Sequence, residues 1–522
     1  MTTTRRRMPA KYKQMAFDTA VRNPERYIDI LTTLYPYEGV ILDDENLLEI
    51  VSDLYLNRIF TSPKIQLDEN TTIDDIKELV IEVNQTRNAD GGFPRGYPSR
   101  FWTYMRTPSE LGFVYAQYGE KLRFSEIAKK LINREIDEQE AFSIQAMKHN
   151  RRNPYRNVLN DFNFFRFIIN VLLKLREQGK RLNYGQFIVA MFSQNGDVDK
   201  FLNLLENHRI YDEDTAYNFV REHYNVTNKK ETVTQDYPDV VRRVFIIAGF
   251  ITVRYEGIKL IQLNENKLDY IQELLSIDFT LTEEEKENPW QYFQKLDGNN
   301  QPFFDLIIKY RERDKINGTT YRNQLLELID TYKIDEETIV KSIKNIGKRR
   351  NVIEEFKDIP EPLKLEFYIA ILIALKYGDE FAIRPNYKAD HLGKPYSHAP
   401  GNKGDIEVFS DYIYWLIEVT LIRNRNQQLN HETTNVIRHL ISSEEFANRV
   451  KKYLSLIAPI IHPDVRDFFN YSIVRHRTEN QDLYIKPYPL EEFVDKTIKK
   501  EIFRDMEIYT QQIINEFRQN LN

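Results

Sequence analysis

The 522-residue chain has no cysteine. That absence excludes a disulfide scaffold, a cysteine-ligated zinc finger and a thiol nucleophile together. Histidine is sparse as well: nine residues, scattered, without an HExxH-type pair. Long hydrophobic runs are missing; FYIAILIAL (Phe367 to Leu375) is about half of what a bilayer crossing needs, so no membrane span is expected. The first residues, MTTTRRRMPAKYKQMAF, are basic but lack an apolar core and a small-residue cleavage site. A cytoplasmic protein is the expectation. Positive charge is in slight deficit, with a formal net charge of -6.

What is present is ordinary for a soluble globular protein: 41% apolar and 29% charged residues. The length calls for about three or four folding units. Basic residues gather locally at Arg5 to Lys13, Arg87 to Arg106, Lys148 to Arg156, Arg242 with Arg243, and Lys348 to Arg350. Such patches can bind phosphate on a mildly acidic protein, and they can equally be solvated faces.

Two stretches share one pattern. After a Gly/Pro-rich loop, GGFPRGYPSRF, the segment RTPSELGFVYAQYGEKLRFSEIAKKLI reads as a helix start at Ser109, two short strands around a YGEK turn, and a helix. YPDVVRRVFIIAGFITVRYEGIKLIQL repeats it: a helix from Pro238, a strand FITVRY, a turn at Glu256-Gly257 and a strand KLIQL. Helix followed by ribbon is the winged-helix pattern, which serves DNA reading or plain protein contact. The arginines on or near these helices, Arg100 and Arg106 in one and Arg242 and Arg243 in the other, favour DNA; Arg106, Arg242 and Arg243 are the candidate DNA contacts.

The fold class expected is multidomain α+β: a mostly helical N-terminal region with two winged-helix-like units, a helical linker and a C-terminal α/β domain. The boundaries are 1–135 and 136–280 for the two recognition domains, 281–358 for the linker, and 359–522 for the last domain, which opens after the IPEP punctuation.

Within the last domain, GDIEVFSDYIYWLIEVTL is two strands. A loop at Asp411-Tyr412 pairs residues whose numbers sum to 823, which sets Asp405 opposite Glu418, their Cβ atoms roughly 4.5 to 5.5 Å apart. Alternation lines Ile406, Val408, Ile413, Trp415, Ile417 and Val419 on one apolar face, with Asp405, Glu418 and Thr420 on the other. Carboxylates that close repel by about 3 kcal/mol at an effective dielectric near 20. A hard divalent cation, Mg²⁺, is the natural occupant, though a shared proton or exposure would also relieve them. Glu366 is a third acid, on the apolar face of the helix from Leu363 to Tyr377, unless it reaches solvent as a helix-start glutamate. Glu432, in NHETTNVIRHL, is a fourth, or simply a first-turn acid. His398, Arg438 and His439 read as functional or equally as satisfied core or surface residues, with His398 kept as a further candidate.

HAPGNKGDIEV, the EVT at Glu418 to Thr420, HETTNVIRH, LIAPIIHPDVRDFF, RNVIEEF and the LEF of the entry helix resemble type IIS restriction endonucleases of the AlwI and PleI kind, together with their site-specific nicking relatives. The resemblance implies a PD-(D/E)xK-like catalytic domain whose acids match Glu366, Asp405, Glu418 and Glu432, with Asp405, Glu418 and Glu366 holding Mg²⁺. Thr420 stands where the general pattern has lysine, and the spacing from Glu418 to Glu432 is one residue longer than the family's. It also implies double-stranded DNA as partner, recognition of a short asymmetric site, and cleavage a few base pairs downstream. One such site cuts one strand, so second-strand cleavage implies a transient homodimer or a small partner subunit. Nicking, the large-subunit role in a heterodimer, and a non-catalytic winged-helix regulator are the competing readings.

Overall fold

The two ribbons turn on glycines. Gly119 and Gly257 both adopt positive φ, +80° and +76°, which a side chain would strain, and both fall at the turns that YGEK and Glu256-Gly257 mark in the sequence. The computed structural model describes residues 10–62, 65, 67, 71–89, 97–316, 321–348, 351–400, 403–423, 425–443, 446, 449–477 and 482–520; the side chains at 83–89, 313–316, 321–324, 426, 427, 430–432, 434, 442 and 520 are not described. The basic residues Arg5 to Arg7, Arg349 and Arg350 lie outside the described residues. The chain forms two compact units, Met1–Glu312 and Arg313–Asn522. Among the described residues no helix is long and apolar enough to cross a membrane.

The first unit begins with helices α1 (Arg26–Leu34), α2 (Asp44–Leu56), α3 (Ile73–Ala89) and α4 (Tyr97–Glu110). Strands β1 (Val114–Tyr115) and β2 (Arg123–Phe124) follow, then α5 (Glu126–Ile132), α6 (Glu138–Lys148) and α7 (Phe164–Glu177). Next come β3 (Leu182–Asn183), α8 (Tyr184–Ala190), α9 (Val198–Asn207), α10 (Glu213–Tyr224), α11 (Tyr237–Ile247), β4 (Ile251–Tyr255), β5 (Lys259–Leu263) and α12 (Leu268–Ser276). The helices α13 (Glu283–Glu287), α14 (Pro289–Asp297) and α15 (Gln301–Ile316) complete the series. Short polar side chains set the starts: Asp137 and Glu140 form a capping box on α6, and Asn183 and Gln186 another on α8.

Both ribbons have the same connectivity. β4 and β5 pair antiparallel, and β3, which precedes α8, adds to β5, giving the order β3-β5-β4. β1 pairs with β2, and Ile41, which precedes α2, bridges antiparallel to Lys121 just before β2. The strands expected as FVYAQ and LRFS are only two residues long. The helix expected to start at Ser109 ends there instead: α4 covers Tyr97–Glu110, with Pro108 in its last turn. Phe101, Tyr104 and Met105 bury at helical spacing, and that burial overrides the loop-like composition of YPSRF.

One core runs from Met15 to Tyr310, across residue 135. The segment 281–358 is divided: Phe303, Leu306 and Ile307 of α15 join this core, while Leu325 and Leu328 of α16 (Tyr321–Tyr332) and Ile339 and Ile343 of α17 (Glu336–Lys344) join that of the second unit.

The second unit continues with α18 (Glu361–Tyr377), β6 (Ala382–Pro385), β7 (Lys388–Ala389), β8 (Pro395–Ser397), β9 (Ile406–Phe409), β10 (Ile413–Val419), α19 (Arg425–Ser442), β11 (Lys451–Ala458), α20 (Pro463–Arg477), β12 (Leu483–Pro489), α21 (Leu490–Ile498) and α22 (Ile502–Asn520). A five-stranded sheet runs β12-β11-β10-β9-β6, parallel from β10 to β12 and antiparallel at β9 and β6. The β10-α19-β11 and β11-α20-β12 crossovers place helices over one face. α18, α21 and part of α22 cover the other. The helix expected from Asn430 to Tyr453 ends at Ser442, because Lys451 to Tyr453 enter the parallel ladder with β10 and β12.

Candidate active site

The hairpin register is the expected one: Tyr414 pairs with Phe409, Trp415 with Val408, Leu416 with Glu407 and Ile417 with Ile406, all summing to 823. The ladder stops one pair short of Asp405 and Glu418. There Asp405 turns its carboxylate across the strand end, where Oδ2 accepts the Val419 N–H at 2.8 Å, while its carbonyl accepts the Asn386 N–H at 2.8 Å. Glu418 stays in β10, paired with Leu456 of β11. Gly404 makes this approach possible: a Cβ there would lie 2.8 Å from Glu418 Oε1 and collide with the Leu416 side chain.

Ile406, Val408, Trp415 and Ile417 line one core, as alternation requires. The opposite face, which carries Glu418, is buried as well. Tyr414 and Leu416 are fully buried in a second core with Val436, Leu440, Leu454 and Val465, because α19 and α20 cover that side. Glu418 is therefore buried, 5% exposed, on a sheet face roofed by helices.

A buried carboxylate needs partners. Glu418 Oε1 lies 2.9 Å from His439 Nδ1, on α19. Glu366, 4% exposed on α18, has Oε1 2.6 Å from His398 Nδ1, just after β8; its Oε2 is buried without a hydrogen-bond partner. Asp405 is half-buried. Glu432 falls within α19, and its side chain lies outside the described residues. The structure thus joins Asp405 to the base of β10 and makes two carboxylate–histidine pairs; among the described residues no three His, Asp or Glu side chains gather as a cation cage. The donor set still suits a hard cation, since it is carboxylate oxygen and Glu366 Oε2 has no other partner. At the position usual for lysine, Thr420 Oγ1 accepts the Ile422 N–H at 3.2 Å, closing the turn after β10.

Glu407, which the sequence reading passes over, lies two residues from Asp405. Arg384 Nη2 is 2.8 Å from its Oε2, Asn386 Nδ2 donates to the same oxygen at 3.0 Å, and Tyr414 and Ser443 donate to Oε1 at 3.0 Å each. Burial works against charge at Glu407, but Arg384 and these donors hold its carboxyl below the usual value. Asn386 also donates to the Gly404 carbonyl at 2.7 Å, so this network fixes the backbone that carries Asp405. The signal was an acid in step with Asp405 and an arginine in the strand before it.

The candidate DNA contacts fare differently. Arg106 is 47% exposed beside Asp18 at 3.2 Å. Arg242 is a correction: it is 2% exposed, bonded to Asp239 at 2.8 Å and set over the Tyr184 ring, so its guanidinium is part of the interior. Arg243, 18% exposed, meets the same Asp239 at 3.1 Å. Burial disfavours the Asp239 charge, yet Arg243 and Arg242 hold its carboxyl below the ordinary range.

A family model described as AlwI restriction endonuclease matches residues 109–306 and, separately, 299–495. Among solved structures, the chain is similar to the small subunit of the heterodimeric restriction endonuclease R.BspD6I, at 17% identity and a TM-score of 0.24 over 35% of this chain and 98% of that one. It is similar to the BpuJ1 endonuclease binding domain, solved with modified DNA, at 15% identity and a TM-score of 0.30 over 52% of this chain and 91% of that one. It is also similar to restriction endonuclease FokI, at 11% identity and a TM-score of 0.22 over 95% and 99%. These superpositions are too loose to carry an argument. No curated protein matches the chain.

Proposed function

The chain belongs to the AlwI restriction endonuclease family, and from that membership, which makes it a DNA-cleaving enzyme, we propose that it is a type IIS enzyme using Mg²⁺. It binds a short asymmetric duplex site through residues of the first unit and hydrolyses a phosphodiester a few base pairs downstream with the second. The observation that carries this reading is the strand-end geometry: Asp405 and Glu418 stand where the register of four observed pairs would continue, and Asp405 Oδ2 accepts the N–H of Val419, next to Glu418.

Asp405 and Glu418 would hold the cation, with Glu366 offering its unpartnered Oε2. When bound, Mg²⁺ would supply Lewis-acid polarisation of the phosphate and ease deprotonation of the attacking water. His439 orients Glu418, and His398 holds the other oxygen of Glu366, leaving Oε2 free to act. Thr420 brings no ammonium to the position usual for lysine. The two helix-and-ribbon arrangements, one extended by strand β3 and the other by the single Ile41–Lys121 bridge, support the winged-helix reading of the first unit.

Among the described residues one such site is proposed, so cutting both strands calls for a transient second copy or a small partner subunit, and nicking is the second reading. A supercoiled plasmid incubated with Mg²⁺ tests the proposal. Linear product with ends at a fixed distance from one asymmetric motif supports restriction, open circles with a fixed nick support nicking, and unchanged supercoils contradict it.

A further inference from the structure

We propose that the two helix-and-ribbon arrangements of the first unit divide their labour: α4 reads bases through Ser99, Thr103 and Arg106, whereas α11 is a structural helix that reads none. The inference rests on the DNA-cleaving reading above and specifies which surface selects the site.

The two helices hold equivalent places, each directly before an antiparallel ribbon whose second strand is extended by an earlier segment. Their surfaces differ. Ser99, Thr103 and Arg106 are spaced by four and three residues, so they share one stripe of α4. Phe101, Tyr104 and Met105 point to the opposite side and are buried. Ser99 and Thr103 lie in the first half of α4, the end from which a recognition helix presents side chains to the major groove, and Arg106 follows one turn later. Arg106 is 47% exposed and can exchange Asp18 for the O6 and N7 of a guanine, while the partly exposed Ser99 carries a hydroxyl suited to either edge and Thr103, whose hydroxyl donates to the Ser99 carbonyl at 2.9 Å, offers a lone pair and a methyl. Farther along, Glu110 is buried under Arg156, His149 and Asn153, which ends the accessible stripe.

The matching stripe of α11, Asp239, Arg243 and Ile246, is only partly exposed, and its two charged members are paired with each other. Val240, Val241, Arg242, Val244, Phe245 and Ile247 are buried. Its remaining cation, Arg243, is tied to Asp239 and 18% exposed. A helix enclosed on this scale cannot enter a groove 12 Å wide without unpacking its own core.

The test is binding-site selection from randomised duplexes by the full chain in Ca²⁺ buffer, followed by affinity measurements on the selected and scrambled duplexes. Wild type should enrich one short motif. Arg106→Ala and Thr103→Ala should lose preference at one or two positions, with roughly 10- to 100-fold weaker binding to the selected duplex and about 2-fold change on the scrambled one. Arg106→Lys should recover part of the loss, and Arg243→Ala should keep the motif. The inference is overturned if the α4 variants keep the motif, if they weaken all duplexes equally, or if Arg243→Ala changes the motif. Failure of wild type to enrich any motif contradicts site-specific recognition itself, and with it this inference; plasmid cleavage in Mg²⁺ then reports independently on the nuclease reading.

Discussion

His439 Nδ1 on α19 lies 2.9 Å from Glu418 Oε1 on β10, with both side chains buried. The hydrogen bond links the crossover helix to the strand, so the imidazole sets the orientation of the Glu418 carboxylate. Partners of this kind typically change metal affinity or activity by about 10- to 100-fold when removed. His439→Ala should therefore lower cleavage by that factor and raise the Mg²⁺ concentration for half-maximal rate. His439→Asn, which keeps a donor, should retain more. Titrating Mg²⁺ against plasmid cleavage for both variants checks this, and an unchanged midpoint for His439→Ala would count against the pairing having a functional role.

Gly404 offers a test of geometry without removing any functional group. A methyl there would press on the Leu416 side chain and on Glu418 Oε1. Gly404→Ala should reduce cleavage by about 10-fold or more, since small displacements of reacting groups cost about that much or more, and cost about 1–3 kcal/mol in stability from overpacking. Single-turnover cleavage and denaturant melts measure the two effects. A fully active variant would show that Glu418 does not need its present position.

Glu407 links the site's frame to pH. Its folded pKa is lowered, by Arg384 and its donors against the effect of burial. The sign follows: its contribution is fully present above the unfolded glutamate value of about 4.3 and is lost as pH falls through the lower folded value. Glu407→Gln should flatten the acid limb of the stability profile below about pH 5 and cost about 2 kcal/mol at neutral pH by leaving Arg384 uncompensated. Trp415, fully buried in the same unit, reports unfolding once Trp102 and Trp290 are replaced by phenylalanine. An unchanged acid limb would remove Glu407 from the site's support.

The hairpin register was legible in the sequence because alternation and loop position constrain each other: a slip of one residue would exchange Trp415 and Ile417 for Tyr414 and Leu416 on each face. The burial of both faces was less so, since α19 and α20 approach only after long crossovers. For the same reason His439, twenty-one residues beyond Glu418, could not be paired with it from spacing alone. Arg242 shows the reverse failure. It read as a surface cation beside Arg243, but α11 buries the face it projects from and Asp239 compensates it within the helix. α4 was hidden by composition, as YPSRF resembles a loop until its aromatic residues find the core.

The central claim, that Asp405 at the strand end serves the cleavage chemistry, is tested most directly by one comparison. Wild type and Asp405→Ala are incubated with supercoiled plasmid in Mg²⁺, and their DNA affinities are measured in parallel. The account predicts that Asp405→Ala loses at least about 100-fold in cleavage, in line with the several kcal/mol a bound cation contributes, while binding DNA within about 2-fold of wild type, since the site lies outside the proposed recognition unit. Cleavage by Asp405→Ala at the wild-type rate would contradict it.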